Sequence, residues 1–474
     1  MKRKLLKTTT IVSALLACGT ILSSCGGSSS KDNDPQTLNI VLYNAGWGRE
    51  WLDDVATTRK ENNPGFNVEI TAMYDANQLI SRSLSSKNNK YDLLITTDNT
   101  WRNYAAQGKF ASLDDLMEET VDNIKFIDKV DGAFKDDLYF TTKTGEKHVY
   151  RLPWTSGMGG IYYNAKMFRD NGWKVPKTTT ELSALIKTIQ DAEIPTQNDE
   201  TQPVTPIVFT GENTDYFDYA IFNWWYQLIG MDAAKNFLNY KDAEQFNYKD
   251  NSSAYSKLYE VVKYWNSIFS NPSSYLQGSL SYSNHLAQQA FFNGQSAMIF
   301  SGDWMYNEIL GYGEGSNFEL AYMTTPTFDS NGQQAVATDV AYAIGSDQYI
   351  AIPESSIKKD AAKSFIKTLI SNDSLSNFTN KAHGFLAYKN TDESKIDRTN
   401  PYIDSYMNAR STLSKRTSDD SDAIIYLNGD IKNVWINHPL RPFLGALNGT
   451  TTIESAFDTI YATAKKTFSE YTPK

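Results

Sequence analysis

Few groups in this 474-residue chain could do covalent chemistry, and their spacing does not favour it. The four histidines, His148, His285, His383 and His438, are scattered, and no cysteine follows Cys25. A zinc site of the usual Cys/His spacing is therefore not expected. No Gly-x-Ser-x-Gly elbow, phosphate loop, Gly-x-Gly-x-x-Gly fingerprint or His-Glu-x-x-His pair occurs, and no cofactor is expected. What the chain has in quantity is aromatic rings: 10 Trp, 29 Tyr and 23 Phe. Much of that must be core, but Trp and Tyr at this density also suit a wet site that stacks rings on apolar ligand faces.

One thiol is placed for modification. Cys25 follows a basic start (Lys2, Arg3, Lys4, Lys7), an apolar run too short to span a bilayer, and Leu22-Ser23-Ser24, and it precedes Gly26-Gly27-Ser28-Ser29-Ser30. That order resembles a bacterial lipoprotein signal. The resemblance implies that residues 1–24 are removed, that Cys25 is acylated, and that 25–36 form a flexible tether at the outer face of the cell membrane. Leu15-Leu16-Ala17-Cys18-Gly19 fits the same pattern, but the disorder-prone composition starts at Cys25, which is preferred. An ordinary secretory signal is the plainer alternative.

With no cysteine after Cys25, the folded part has no disulfide and depends on burial, which its length allows while pointing to two or more domains. The formal charge of −10 becomes −14 once the four basic residues of the signal are gone. A chain this acidic is a poor nucleic-acid binder, and anionic lipid would repel it, so membrane contact should depend on the lipid anchor. No second apolar stretch is long enough to span a bilayer.

The elements that must position any site read as α/β. Leu38–Tyr43 is an apolar strand, Trp51–Asn62 a helix stopped by Asn63-Pro64-Gly65, and Phe66–Ile70 an alternating strand, which gives a βαβ unit and a parallel sheet. A helix near Asn77–Ser86, a buried strand Tyr91–Ile95 and a helix from Trp101 to Gly108 repeat the logic. Later come a strand Gly159–Asn164, a helix Leu182–Asp191 behind the cap-like Thr178-Thr179-Thr180-Glu181, and helical patterns over Phe217–Lys263. A strand at Ala297–Phe300 and helices at Asp360–Ser371 and about Thr452–Tyr471 complete the reading.

Several segments, in order, resemble the carbohydrate-binding, maltose-binding-protein-like group of extracellular solute-binding proteins of ABC importers. They are Asn63-Pro64-Gly65-Phe66-Asn67-Val68; Gly108 to Asp114; Leu152-Pro153-Trp154 through Tyr162-Tyr163-Asn164-Ala165-Lys166-Met167-Phe168 to Pro176-Lys177-Thr178; Phe291 to Met298 with Gly302-Asp303-Trp304; and Ala361 to Ile366. The long stretch Asp122–Lys147 and the segment Asn437–Pro442 depart from the pattern and could reshape a cleft. The resemblance implies a two-lobed periplasmic-binding-protein-like fold with a hinge and an interlobe ligand cleft. Lobe 1 would hold 37–152 with 327–380, and lobe 2 would hold 153–326 with 381–474. The function implied is capture of a carbohydrate, on the aromatic content an oligosaccharide, for delivery to importer permease subunits by a monomeric protein that is not an enzyme. A secreted glycoside-acting enzyme with a carboxylate pair among the 55 acids, or a sugar-sensing or adhesive lipoprotein, are the alternatives.

A sugar offers apolar C–H faces and a ring of hydroxyls, so its cleft needs aromatic platforms and planar polar side chains. By the Gly-x-Trp match, Trp304 is the leading platform. Trp154 follows, on the Leu-Pro-Trp match. Trp47 lies in the Gly46-Trp47-Gly48 loop after the first strand, a position that opens on the cleft in α/β sheets. Trp224 and Trp225 are adjacent in a helix and cannot share a face, so at least one is core. Asp98 and Trp101 after the strand Tyr91–Ile95, with Asp303 and Asp339, are the polar-contact candidates, and Asn44, Tyr43 and Glu50 belong to the first loop. Arg441 is a weak candidate for an anionic or hydroxyl group.

Overall fold

The computed structural model describes residues 37–470, apart from 87, 98–99, 136–137, 157, 197–200, 239–240, 314–317, 343–347, 414 and 418–448. Asp98, Arg441, Asn437–Pro442 and the signal and tether with Cys18 and Cys25 lie outside the described residues.

Nine strands build two sheets. We number them β1 (Thr37–Tyr43), β2 (Asn67–Met73), β3 (Leu93–Thr96), β4 (Leu152–Pro153), β5 (Gly159–Asn164), β6 (Thr205–Val208), β7 (Ser296–Gly302), β8 (Leu320–Met323) and β9 (Tyr349–Ala351). The first sheet runs β2-β1-β3-β9-β4 and the second β6-β7-β5-β8. β1 pairs in parallel with both β2 and β3, as the βαβ reading requires, and β9 closes the first sheet antiparallel to β3 and β4. In the second sheet β6 and β7 are parallel, and β5 runs antiparallel to β7 and β8.

The sequence explains this layout. β3 and β7 are continuous apolar runs buried on both faces, whereas β2, at the sheet's edge, alternates and stays half-exposed. The helix Glu50–Asn62 starts with Glu50 and Asp53, ends with Arg59 and Lys60, and buries Trp51, Leu52 and Val55 against the first sheet. Thr178 caps the helix Thr179–Ala192 by accepting from the Glu181 backbone N–H. In the second lobe the helices Asp218–Ile229 and Ala254–Phe269 pack Trp224, Trp225 and Trp265 into one core, and the last helix, Ile453–Glu470, adds Phe457 to it.

The chain crosses between lobes after β4, again on the way to β9, and again near Gly384. Phe328 and Val340 pack in the second core, and the Phe328 N–H donates to Gln227 at 2.8 Å. The return crossing therefore falls after Val340, later than the expected residue 327. The helix Asn372–Ala382 belongs to the first core, while Phe385 and Tyr402 belong to the second lobe. At the crossing itself the backbones interlock: Ser156 N–H donates to Phe385 O at 2.7 Å and Ala387 N–H to Trp154 O at 2.9 Å.

The departure at Asp122–Lys147 lies over the first core and not in the cleft. Its Phe126, Val130 and Leu138 are buried there, and the fully buried Lys129 reaches Asp122 at 2.5 Å and Asn372 at 3.0 Å. Among the described residues no helix is long and apolar enough to cross a membrane.

One buried ion pair clamps the first sheet to the chain that returns after β9. Asp92 accepts from the Asn39 N–H at 2.9 Å and from the Ser356 hydroxyl at 2.7 Å, and Lys358 Nζ lies 3.5 Å away while donating to Thr37 O at 2.6 Å. Asp92→Ala removes the carboxylate that faces the buried Lys358 ammonium and accepts from Asn39 and Ser356, so we expect it to cost about 3–5 kcal/mol in urea unfolding. A loss under 1 kcal/mol would show that water compensates the lysine.

Candidate functional site

A cleft of about 690 Å³, open to solvent on one side, lies between the lobes. Its first wall is built from residues at or just past the C-terminal ends of parallel strands: Tyr43 and Trp47 after β1, Tyr74 after β2, and Thr97 after β3. Backbone groups and side chains at that edge of an α/β sheet are free to face a ligand. The opposite wall is Tyr216 and Tyr219, Asn284 at the start of the helix Asn284–Phe292, and Trp304 with Glu308 beyond β7.

Trp304 is the meeting point. Its half-buried indole sits edge-on to Trp47 at 6.0 Å and to Tyr216 at 6.1 Å between ring centroids, and lies 6.0 Å from Tyr219 at a tilt of 57°. Two glycines allow this. A Cβ on Gly302 would stand 2.2 Å from the Trp304 ring, and one on Gly46 would stand 2.6 Å from the Trp304 carbonyl oxygen. Gly46 is thus where the first lobe's loop touches the second lobe's platform. Trp47 is itself nearly buried, and its indole N–H has no partner among the described residues.

Tyr43 and Tyr74 form the outer lip, with rings 5.6 Å apart, and Tyr74 is 73 % exposed. Burial, helped by the neighbouring Tyr74 hydroxyl and the Glu308 carboxylate, pushes the Tyr43 hydroxyl up to about 12, so it stays a hydrogen-bond donor at any physiological pH. Burial likewise holds the Glu308 carboxyl above the ordinary glutamate range, although one oxygen accepts from Gln288 Nε2 at 2.7 Å. Rings with apolar faces, a neutral phenol, an amide and a carboxylate are a set that can hold a polyhydroxylated ligand.

Of the residues singled out in the sequence, Trp304 and Trp47 line the cleft, as does Tyr43 from the lower-ranked first-loop group. Trp154 does not: it is fully buried at the lobe crossing against Trp51, Phe378 and Tyr388. Trp101 is also core, with the guanidinium carbons of Arg102 and Arg151 4.4 and 4.2 Å from its ring. Trp224 and Trp225 both face the second core, where their N–H groups donate to Pro326 O and Ala254 O. The helix they share is packed all round, so neither has a wet face.

Asp303 is fully buried and outside the cleft lining, and its charge helps to hold the hydroxyls of Tyr162, Tyr402 and Tyr406 in their protonated form. Asp339 is half-buried before Val340, outside the cleft lining, and Asn44 sits between lining residues with its amide oxygen buried. Glu50 is exposed at the start of its helix and outside the lining. Tyr74, Tyr216, Tyr219, Asn284 and Glu308 are site residues the sequence reading passed over. The first is the residue immediately after an edge strand, and Tyr216 and Tyr219 carry the i, i+3 spacing of one helical face.

A family profile described as bacterial extracellular solute-binding protein matches residues 55–393. No curated protein sequence matches the chain. Solved structures of the same fold include the solute-binding protein RafE in complex with raffinose, at 15% identity and a TM-score of 0.62, covering 91% of this chain and 99% of that one. A chitin oligosaccharide binding protein follows at 16% identity and 0.62, covering 92% and 99%. The GacH receptor of Streptomyces glaucescens, solved unliganded and with acarbose, gives 16% identity and 0.61, covering 92% and 99%. The fold is the two-lobed periplasmic-binding-protein type, with the ligand cleft between the lobes.

Proposed function

The chain belongs to the bacterial extracellular solute-binding proteins, and from that footing we propose that it captures a carbohydrate, specifically an oligosaccharide, between its two lobes and hands it to the permease subunits of an ABC importer. The observation that carries this reading is the cleft in which six aromatic rings from both lobes surround Asn284, Thr97 and Glu308. Sugar faces stack on Trp304 and Tyr74, and ring hydroxyls exchange hydrogen bonds with the polar groups. The raffinose and acarbose complexes of structures sharing the fold support the same ligand class. Ligand contacts made by both walls favour the closed arrangement, so closure is a population shift paid out of binding energy.

A thermal-shift panel of mono- and oligosaccharides on the soluble chain from Ser28 tests the proposal, because a ligand that binds only the native state raises its melting temperature. A dose-dependent rise with one sugar, and no product after prolonged incubation, supports capture without catalysis. Silence across the panel would overturn the carbohydrate reading, and consumption of the sugar would replace it with an enzyme.

We further propose that the protein is held at the outer face of the cell membrane by lipid on Cys25, the residue that ends the signal-like start. Cys25→Ser should abolish metabolic labelling with a fatty acid and release the protein from the membrane fraction. Continued labelling would move the anchor to Cys18.

A further inference from the structure

Glu308 is an anomaly in the cleft. Its carboxylate is largely desolvated and faces the cavity, yet among the described residues no lysine or arginine pairs with it and none lines the cleft. Among the described residues its hydrogen-bond partner is the neutral amide of the fully buried Gln288. The ionisable groups around it are His285, on the same helix as Gln288, Tyr43 from β1, and Tyr312 beyond its own short helix. The rings of Trp304, Trp47, Tyr43 and Tyr74 line the same space, and an aromatic face carries negative quadrupole. An anionic group brought into it meets like charge in a low dielectric, a neutral hydroxyl finds an acceptor, and an ammonium finds a counter-ion and aromatic faces.

We propose that Glu308 is the charge-selecting residue of this cleft, admitting neutral and amine-bearing sugars and rejecting acidic ones such as uronates and sugar phosphates. The inference rests on the carbohydrate reading and narrows it to a ligand class.

The test is calorimetric titration of the wild type, Glu308→Gln and Glu308→Asp with matched trisaccharides on gluco and galacto backbones: neutral, 2-amino and 6-carboxylate. In the wild type at pH 7 the acidic member is expected to bind about 100-fold more weakly than the neutral one. Glu308→Gln, which keeps the size and the contact to Gln288, should narrow that gap at least about tenfold and lower the affinity of the amino member by a similar factor. Glu308→Asp keeps the charge and should keep the discrimination. Lowering the pH should narrow the wild-type gap more than the Glu308→Gln gap, because only the wild type has the Glu308 carboxylate to neutralise, and burial brings that protonation on at milder acidity.

An acid-to-neutral ratio that is the same in the wild type and Glu308→Gln overturns the inference while leaving carbohydrate capture intact. Binding of no carbohydrate by any of the three proteins overturns both.

Discussion

Trp304→Ala is expected to weaken carbohydrate binding by about 2–4 kcal/mol, roughly 30- to 1,000-fold, with the fold intact. The indole is in edge contact with rings of both lobes, Trp47 on one side and Tyr216 on the other, so it is at once platform and interlobe contact. Its truncation removes the stacking surface and opens the space its neighbours share. Because Trp304 is half-exposed and stands at the start of a short surface helix, little of the core depends on it. Calorimetry reads the affinity and far-ultraviolet circular dichroism the fold. Unchanged affinity would remove Trp304 from the site.

Trp154→Ala should do the opposite, costing about 3–5 kcal/mol of stability while leaving the affinity of the folded protein within about threefold. Trp154 packs against Trp51 at 5.2 Å and Phe378 at 5.6 Å, and its backbone pairs with Gln348 and Ala387 where the lobes are joined. The cavity left by an indole in that cluster has no flexible neighbour to fill it. A lowered urea midpoint with normal affinity is the expected result. A binding loss comparable to that of Trp304→Ala would mean that the crossing transmits into the cleft.

This pair of tryptophans shows what the sequence could and could not say. Local physics was readable: the apolar runs of β1 and β3, the Asn63-Pro64-Gly65 stop and the Thr178 cap all fold as their chemistry dictates. The role of an aromatic ring was not, because a Trp on a wet wall and a Trp in a core carry the same residue type. Trp101, Trp154, Trp224 and Trp225 went into cores, where 62 aromatics have to be packed somewhere. Position at or past a strand's C-terminal end did better, picking Tyr43 and Trp47, although it also picked the core residue Trp101. Applied to β2 it would also have found Tyr74. Glu308 carried no such mark: its place depends on the helix that Gly302 lets begin beside Trp304, a tertiary fact.

The central claim, that a sugar is held between two walls, is tested most directly by a crystal structure with the saccharide that raises the melting temperature most. The expected structure has a sugar ring stacked on Trp304, with Tyr43 or Tyr74 on one side and Asn284 or Glu308 hydrogen-bonded to its hydroxyls on the other. A saccharide seated outside this cleft, or touching only one lobe, would contradict it.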